Sequence, residues 1–497
     1  MKIKGIRCNY SEIFKCIIIF LAFLGMCFTA YLSQNEISGD FLWLYNMSLK
    51  MVNGYMPYRD INMIVTPLMF QIAELFMRVF GDSAFVFYIC MSILGAMFPV
   101  TIYKLLKKIN KSTTLNWCLI IFLTLAYSFL GLFLYSYNIT TIWFIFIAMI
   151  FELKKQEKSK KIYDYLIGVM LGLSAASKQT IGGLAIIFSL LYDVYKTFYL
   201  KKSDIKGSIL RKILGILTIA IPYLAWLLIN KSLMSFLDQC IFAVFEFGHK
   251  NKTGSFFNYY TLISVLFVGI SICLCFMKKA RSMPGYEKMS VITFYTIPTL
   301  FIIVPIMNTY HCALMLMGAI PLFFFYINLF FENKLVKFNN ASWIPFLMFL
   351  GFMLVSTGSF LGAWNYDKMN NSIEKYKYIG LNDEQIKDIN EVTEYIKDKE
   401  ALGFKVYILS LDAGMYMIPL ERYDNNKFDL LFQGNLGYDG ENKLVETMKN
   451  MKDTIFLKRD DLFYQESKII DNYVKESYKV VDEINGYNVY VTNDVVF

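Results

Sequence analysis

The feature that most constrains this chain is the recurrence of long apolar runs separated by short basic loops. The basic start "MKIKGIRCNYSEIFK" leads into "CIIIFLAFLGMCFTAYL", and further apolar runs fall at roughly 84–103, 115–133, 138–153, 162–176, 179–195, 212–229, 258–276, 289–306, 312–331 and 342–362. A helix rises about 1.5 Å per residue and the hydrocarbon core of a bilayer is about 30 Å thick, so these runs read as about eleven spans. The fold class expected is therefore a polytopic α-helical membrane protein. A mean hydropathy of +0.43, with 56% hydrophobic and 17% aromatic residues, excludes an ordinary soluble domain. The first run has the layout of a signal peptide, yet it is long enough to span and is read as an uncleaved helix.

Charge sets the orientation. The net charge of +9 is spread over "KLLKKINK", "ELKKQEKSKK", "YKTFYLKKSDIKGSILRK", "MKKARSMPGYEK" and "ENKLVK", which alternate with loops such as "LYSY" and "NTYH" that lack Lys and Arg. Basic loops stay in the cytoplasm, so the charge is a topology signal and not a nucleic-acid footprint. With a cytoplasmic N-terminus and an odd number of spans, everything after about residue 364 lies outside a plasma membrane. All nine cysteines fall between Cys8 and Cys312, in or near apolar segments, and give no legible disulfide framework.

Two outer loops are too long to be connectors. The first, 33–83, holds "GDFLWLYNMSLKMVNG", a helix suited to the membrane interface, then "GYMPYRDINMIVTPL", then "LMFQIAELFMRVFG", interrupted by Gln71, Glu74 and Arg78. The second, about 230–257, ends in "FEFGHKNKTGSFFNYY" and lacks strong periodicity. The chain thus divides into a transmembrane domain, 1–364, and a small α/β domain, 365–497. In the latter, "NDEQIKDINEVTEYIKDK" reads as a helix capped by Asn382, and "KVYILSL", "DTIFLK", "KVVDEI" and "YNVYVT" read as strands, the last two joined at Asn485 and Gly486. It carries no phosphate loop, metal-spaced cluster or nucleophile elbow.

Chemistry is then expected at the outer face of the bundle. Asp40 lies just beyond the first span, Arg59 and Asp60 lie in the first loop, Lys178 in "SAASKQTIGG" at a hairpin tip, and His311 after "PIMNT". Five ionisable groups at one membrane depth point to a polar site. Each also has a plain structural reading: helix cap for Asp40, surface ion pair for Arg59 and Asp60, snorkelling chain for Lys178, interfacial cap for His311.

The order of these features, an Asp after the first helix, an interfacial helix, "G.PYRD", "YSYN" at 135–138, "GLSAASKQTIGG" and "PIMNTYH", followed by an extracytoplasmic α/β domain, resembles the GT-C glycosyltransferases of the protein-mannosyltransferase and aminoarabinose-transferase type. The resemblance implies an inverting transfer of a sugar from a polyprenyl-phosphate carrier, undecaprenyl phosphate in a bacterium, to an extracytoplasmic glycan, lipid or protein acceptor. It implies Asp40 as the catalytic base, Lys178, Arg59 and His311 as ligands of the donor phosphate, and Asp60, Tyr58, Asn138 and Gln179 as acceptor-side or orienting residues. It assigns no metal ligand and no certain cofactor, and leaves dependence on a divalent metal open. Two positions depart from the family pattern: Phe41 follows Asp40 where members commonly carry Glu, and Asn308 stands where many carry an acid. Three other functions share these features: a polymerase or ligase using a lipid-diphosphate donor, a noncatalytic glycan-binding relative, and a polytopic transporter.

Overall fold

A computed structural model describes residues 10–33, 39–110, 112–130, 136–201, 204–254, 258–335, 343–363, 371–425, 428–429, 431–460 and 466–492, with side chains excepted at 126–130 and 332–335. The end of the 115–133 run, Tyr135 of "YSYN" and the stretch 364–370 lie outside them. The membrane part runs α1 (Tyr10–Leu32), α2 (Gly39–Val52), α3 (Leu68–Phe80), α4 (Ala84–Ile109), α5 (Thr113–Leu130), α6 (Tyr137–Lys158), α7 (Ile162–Ser177), α8 (Gln179–Tyr199), α9 (Ile205–Ile229), α10 (Leu233–Phe236), α11 (Ala243–Lys250), β1 (Thr253–Gly254), α12 (Tyr259–Phe276), α13 (Tyr286–Thr296), β2 (Ile306–Met307), α14 (Thr309–Leu335) and α15 (Trp343–Ala363). Eight of the described helices, α1, α4, α6, α8, α9, α12, α14 and α15, are long and apolar enough to cross a bilayer by themselves. The run at 289–306 is instead a composite, α13 continuing as a 3₁₀ segment over Ile297–Ile303.

The close approach of α7 and α9 depends on absent side chains. A Cβ on Gly168 would lie 2.0 Å from the Lys212 carbonyl oxygen, and one on Gly215 would lie 2.2 Å from that of Tyr165. Small residues let membrane helices meet backbone to backbone, where dispersion and polar contacts replace the missing hydrophobic drive. That proximity brings charged groups of α6, α7, α8 and α9 together inside the bundle. Lys212 Nζ lies 3.1 Å from Glu152 and 2.9 Å from Asp193, and Lys196 Nζ lies 2.8 Å and 2.6 Å from the same two carboxylates. Asp164 pairs with Lys155 and with Arg211, and the Ser208 hydroxyl donates to Asp164.

At the other end of the bundle the C-terminal domain is built from α16 (Asp383–Ala401), β3 (Lys405–Ile408), α17 (Ala413–Met417), α18 (Gly440–Lys449), β4 (Thr454–Lys458), α19 (Lys468–Ser477), β5 (Tyr478–Ile484) and β6 (Tyr487–Thr492). Its sheet has the order β3-β4-β6-β5, with only the β3/β4 pair parallel. Asn382 Oδ1 accepts the Gln385 N–H at 2.7 Å, capping α16. Asn485 and Gly486 both take positive φ, as a two-residue hairpin turn requires.

The domain sits on α2 and on the second long loop. Asp429 accepts from Asn46 and pairs with Lys50 in a buried contact, Lys375 meets Asp82 at 2.6 Å, and Lys250 meets Glu441 at 2.5 Å. The second loop is more ordered than its lack of periodicity suggests. It forms α10 and α11 around a π-helical turn at Leu237–Phe242, with Gly434 packed on the Phe247 backbone. Docking against the C-terminal domain holds it in place.

Lys212→Met leaves Glu152 and Asp193 short of a cation within the bundle, and removing one partner of a buried pair costs about 3–5 kcal/mol. Thermal unfolding in detergent should show a large drop for this variant and almost none for Lys387→Met, whose side chain is 75% exposed. Equal melting of the two variants would discard the buried network as a determinant of the fold.

Candidate functional site

Four elements bring their polar residues to the end of the bundle that faces the C-terminal domain. Asp40 stands in the first turn of α2. Its side chain is reachable by solvent, yet protein crowds it enough that desolvation raises its pKa above the ordinary carboxylate value, the signature of a group lining a recess. The carboxylate lies within electrostatic reach of the hydroxyls of Tyr137 and Tyr310, and Tyr310 is hydrogen-bonded to Ser136 at 3.1 Å.

Lys178 is the single residue between α7 and α8, in extended conformation, with its N–H on the Ser174 carbonyl and its own carbonyl accepting from Gly182. A Cβ at Gly182 would come within 2.2 Å of the Ala175 nitrogen, so the tight hairpin requires glycine there. The Lys178 ammonium donates to Asn138 Oδ1 at 2.7 Å and lies 5.5 Å from the centre of the Tyr137 ring. Desolvation lowers its pKa to about 8.

The Lys178 charge also reaches His311, in the first turn of α14. Asn308 Oδ1 accepts the His311 backbone N–H at 2.9 Å and lies 2.7 Å from the ring Nδ1. The backbone donor identifies that atom as the amide oxygen, so Nδ1 carries the proton. In the neutral ring this leaves Nε2 as an acceptor. The segment before α14 is itself tied to the second long loop through the parallel β1/β2 pairing, Gly254 opposite Met307.

The remaining sequence candidates hold the loop that frames this recess. Gln179 donates to the Ile64 carbonyl at 2.6 Å and to Cys240 at 3.2 Å, while its oxygen accepts the Thr66 N–H, which joins both long loops to the hairpin. Tyr58 is buried at positive φ, with its hydroxyl between the Val65 carbonyl and Tyr223 and its own carbonyl accepting from Gln239. Arg59 forms a two-point ion pair with Asp60 and reaches the Asn230 carbonyl at the end of α9, and Asp60 accepts the Met56 N–H. These hydrogen bonds run to the two long loops, to backbone groups and, for Tyr58, to Tyr223 of α9, whereas Asp40, Asn138, Lys178 and His311 form the cluster. Phe41 is packed among Tyr31, Tyr45, Phe87 and Tyr88, so the position after Asp40 points into an aromatic core and away from the recess.

Sequence reasoning missed Tyr137, Tyr310 and Ser136, though the first two flank its own candidates Asn138 and His311. Among the described residues no group of three or more His, Cys, Asp or Glu side chains gathers as a metal site. The arrangement offers a crowded carboxylate on one side and an ammonium with a fixed amide partner on the other. Such a pair suits proton removal at one atom and charge stabilisation at another.

The family model of dolichyl-phosphate-mannose-protein mannosyltransferase matches residues 65–226, from within the first long loop into α9. No curated protein matches. The chain is similar in structure to ArnT from Cupriavidus metallidurans bound to undecaprenyl phosphate, with a TM-score of 0.56 at 12% identity over 97% of this chain and 98% of that one. The apo state of the same protein superposes with a TM-score of 0.53 at 12% identity, over 96% and 98%. An architecture shared with ArnT along nearly the whole chain, together with the family-model match over residues 65–226, makes this a multi-pass membrane protein of the GT-C fold.

Proposed function

We propose that the protein is an inverting glycosyltransferase that moves a sugar from a polyprenyl-phosphate carrier to a hydroxyl- or amine-bearing acceptor on the extracytoplasmic side. The observation that carries this reading is the convergence of Asp40 and Lys178 from separate elements on one recess, with Tyr137 adjoining both. The crystal structure of ArnT with undecaprenyl phosphate supports a lipid phosphate as donor group.

In this reading the acceptor O–H attacks the anomeric carbon from the face opposite the phosphate. Asp40 takes the proton as the C–O bond to phosphate breaks, and the electron pair leaves with the phosphate oxygen. Lys178 offsets the charge that develops there, held in place by Asn138. Crowding around Asp40 makes it a stronger base than a solvated carboxylate. His311, presenting Nε2 as an acceptor, serves a donor or acceptor hydroxyl better than a phosphate oxygen. Arg59 and Asp60 act by fixing the loop, and Tyr58 and Gln179 by clamping it to α8, α9 and the π-helical turn.

Sugar transfer from radiolabelled polyprenyl-phosphate sugars, assayed with purified protein in lipid vesicles, tests this reading. Asp40→Asn should lose nearly all turnover while donor binding persists. Undiminished transfer by that variant would remove Asp40 as base, and donor-independent flux of a solute would favour transport instead. Lys178→Gln should slow transfer by about 10²- to 10³-fold, the usual cost of one preorganised charge stabiliser.

The pH profile adds a separate check. The Lys178 ammonium is present below a pKa of about 8 and is lost as pH rises through it, so kcat/KM should fall on that alkaline limb. The raised Asp40 pKa moves the acid limb upward from where an ordinary aspartate would set it, because the base works only once deprotonated. Lys178→Arg should move the alkaline limb upward; an unchanged limb would mean that another group sets it.

A further inference from the structure

The end of the bundle remote from Asp40 holds an apolar cavity of about 690 Å³ between α8, α12 and α13. Leu191, Phe198, Tyr199, Phe276 and Phe294 line it, and the cavity is open toward the lipid side, where Phe198 is 73% exposed and Phe276 50%. Its mouth is basic. Directly after α12, the short 3₁₀ segment Lys278–Ser282 carries Lys278, Lys279 and Arg281, all exposed. Arg281 lines the cavity itself and lies 5.4 Å over the Tyr199 ring, which fixes the guanidinium at the rim. Among the described residues none of these three cations is ion-paired with a carboxylate, in contrast to the cations of the interior, which are paired.

We infer that this groove holds one anionic phospholipid of the leaflet opposite the Asp40 site, its acyl chain along the α8/α12 aromatics and its phosphate at Arg281, Lys278 and Lys279. Charge complementarity selects the occupant. A groove of aromatic and aliphatic side chains admits a hydrocarbon chain without distinguishing one lipid from another, whereas three unneutralised cations at headgroup depth favour a negatively charged head over a zwitterionic one. The site is separate from the donor recess, since it opens at the C-terminal end of α8 while Lys178 precedes its N-terminal end. The inference does not rest on the transferase reading.

Native mass spectrometry of the full chain in detergent, titrated with an equimolar mixture of phosphatidylglycerol and phosphatidylcholine, tests this. The wild type should retain a single phosphatidylglycerol in preference to phosphatidylcholine. Combined Lys278→Gln, Lys279→Gln and Arg281→Gln should reduce that preference by about tenfold or more, as each cation near a membrane surface contributes on the order of a fivefold factor. Lys158→Gln with Lys160→Gln, which removes two exposed charges at the same end of the bundle, should leave retention unchanged. Val194→Trp, which fills the groove and leaves the rim charges in place, should lose the lipid. Glycerol phosphate, the head without chains, should not compete. Equal retention of both lipids, equal loss in the two charge variants, retention by the filled groove, or displacement by glycerol phosphate would each overturn the assignment.

Discussion

Lys212 and its two carboxylates tie together the helices that carry Asn138 and Lys178. An ammonium with no exposed surface inside a membrane protein must be paired, and Glu152 and Asp193 supply that pairing from α6 and α8 while Gly168 and Gly215 let α9 come close enough to α7 to deliver it. Four helices are thereby held at one end. Their other ends then fall where α6 presents Asn138 and the α7/α8 hairpin presents Lys178, 2.7 Å apart. The candidate site is remote from the network yet draws Asn138 and Lys178 from the same helices, while Asp40 and His311 come from α2 and α14.

The two groups of charges differ in how they are satisfied. Interior carboxylates each face two cations, so their charge is neutralised in place. In the recess Lys178 has an amide oxygen as its partner and Asp40 has neighbouring phenol hydroxyls within electrostatic reach. Neutral partners orient a charged group without cancelling it. That difference separates the candidate site from the buried ion network.

Much of this architecture was legible because hydrophobic runs and basic loops report membrane spans directly, and because Asp40, Lys178 and His311 stand out at the ends of apolar segments. The C-terminal strands and the Asn382 cap were readable for a similar reason, since alternation and capping are local signals. What stayed hidden depends on distant partners. Glu152, Asp193, Lys196 and Lys212 look like flanking topology charges in sequence, and only the approach of α9 to α7 shows that they pair inside the bundle. Arg59 and Asp60 stand out in sequence by their depth and by the "G.PYRD" motif, and their pairing with each other and with neighbouring backbone groups becomes visible only in the structure. The helical second loop was missed because it is ordered by contacts with residues near 433–441, which no local window contains.

The join between α2 and Asp429 bears on the order in which the protein can be assembled. Lys50 is 1% exposed, and its partner Asp429 lies 379 residues later in the chain. During synthesis α2 leaves the ribosome long before that carboxylate exists, so the helix bearing Asp40 waits with a cation that has yet to find its counter-charge. The bundle helices meanwhile find one another through contacts much nearer in sequence. The seating of α2, the helix that carries Asp40, is therefore coupled to the docking of the C-terminal domain.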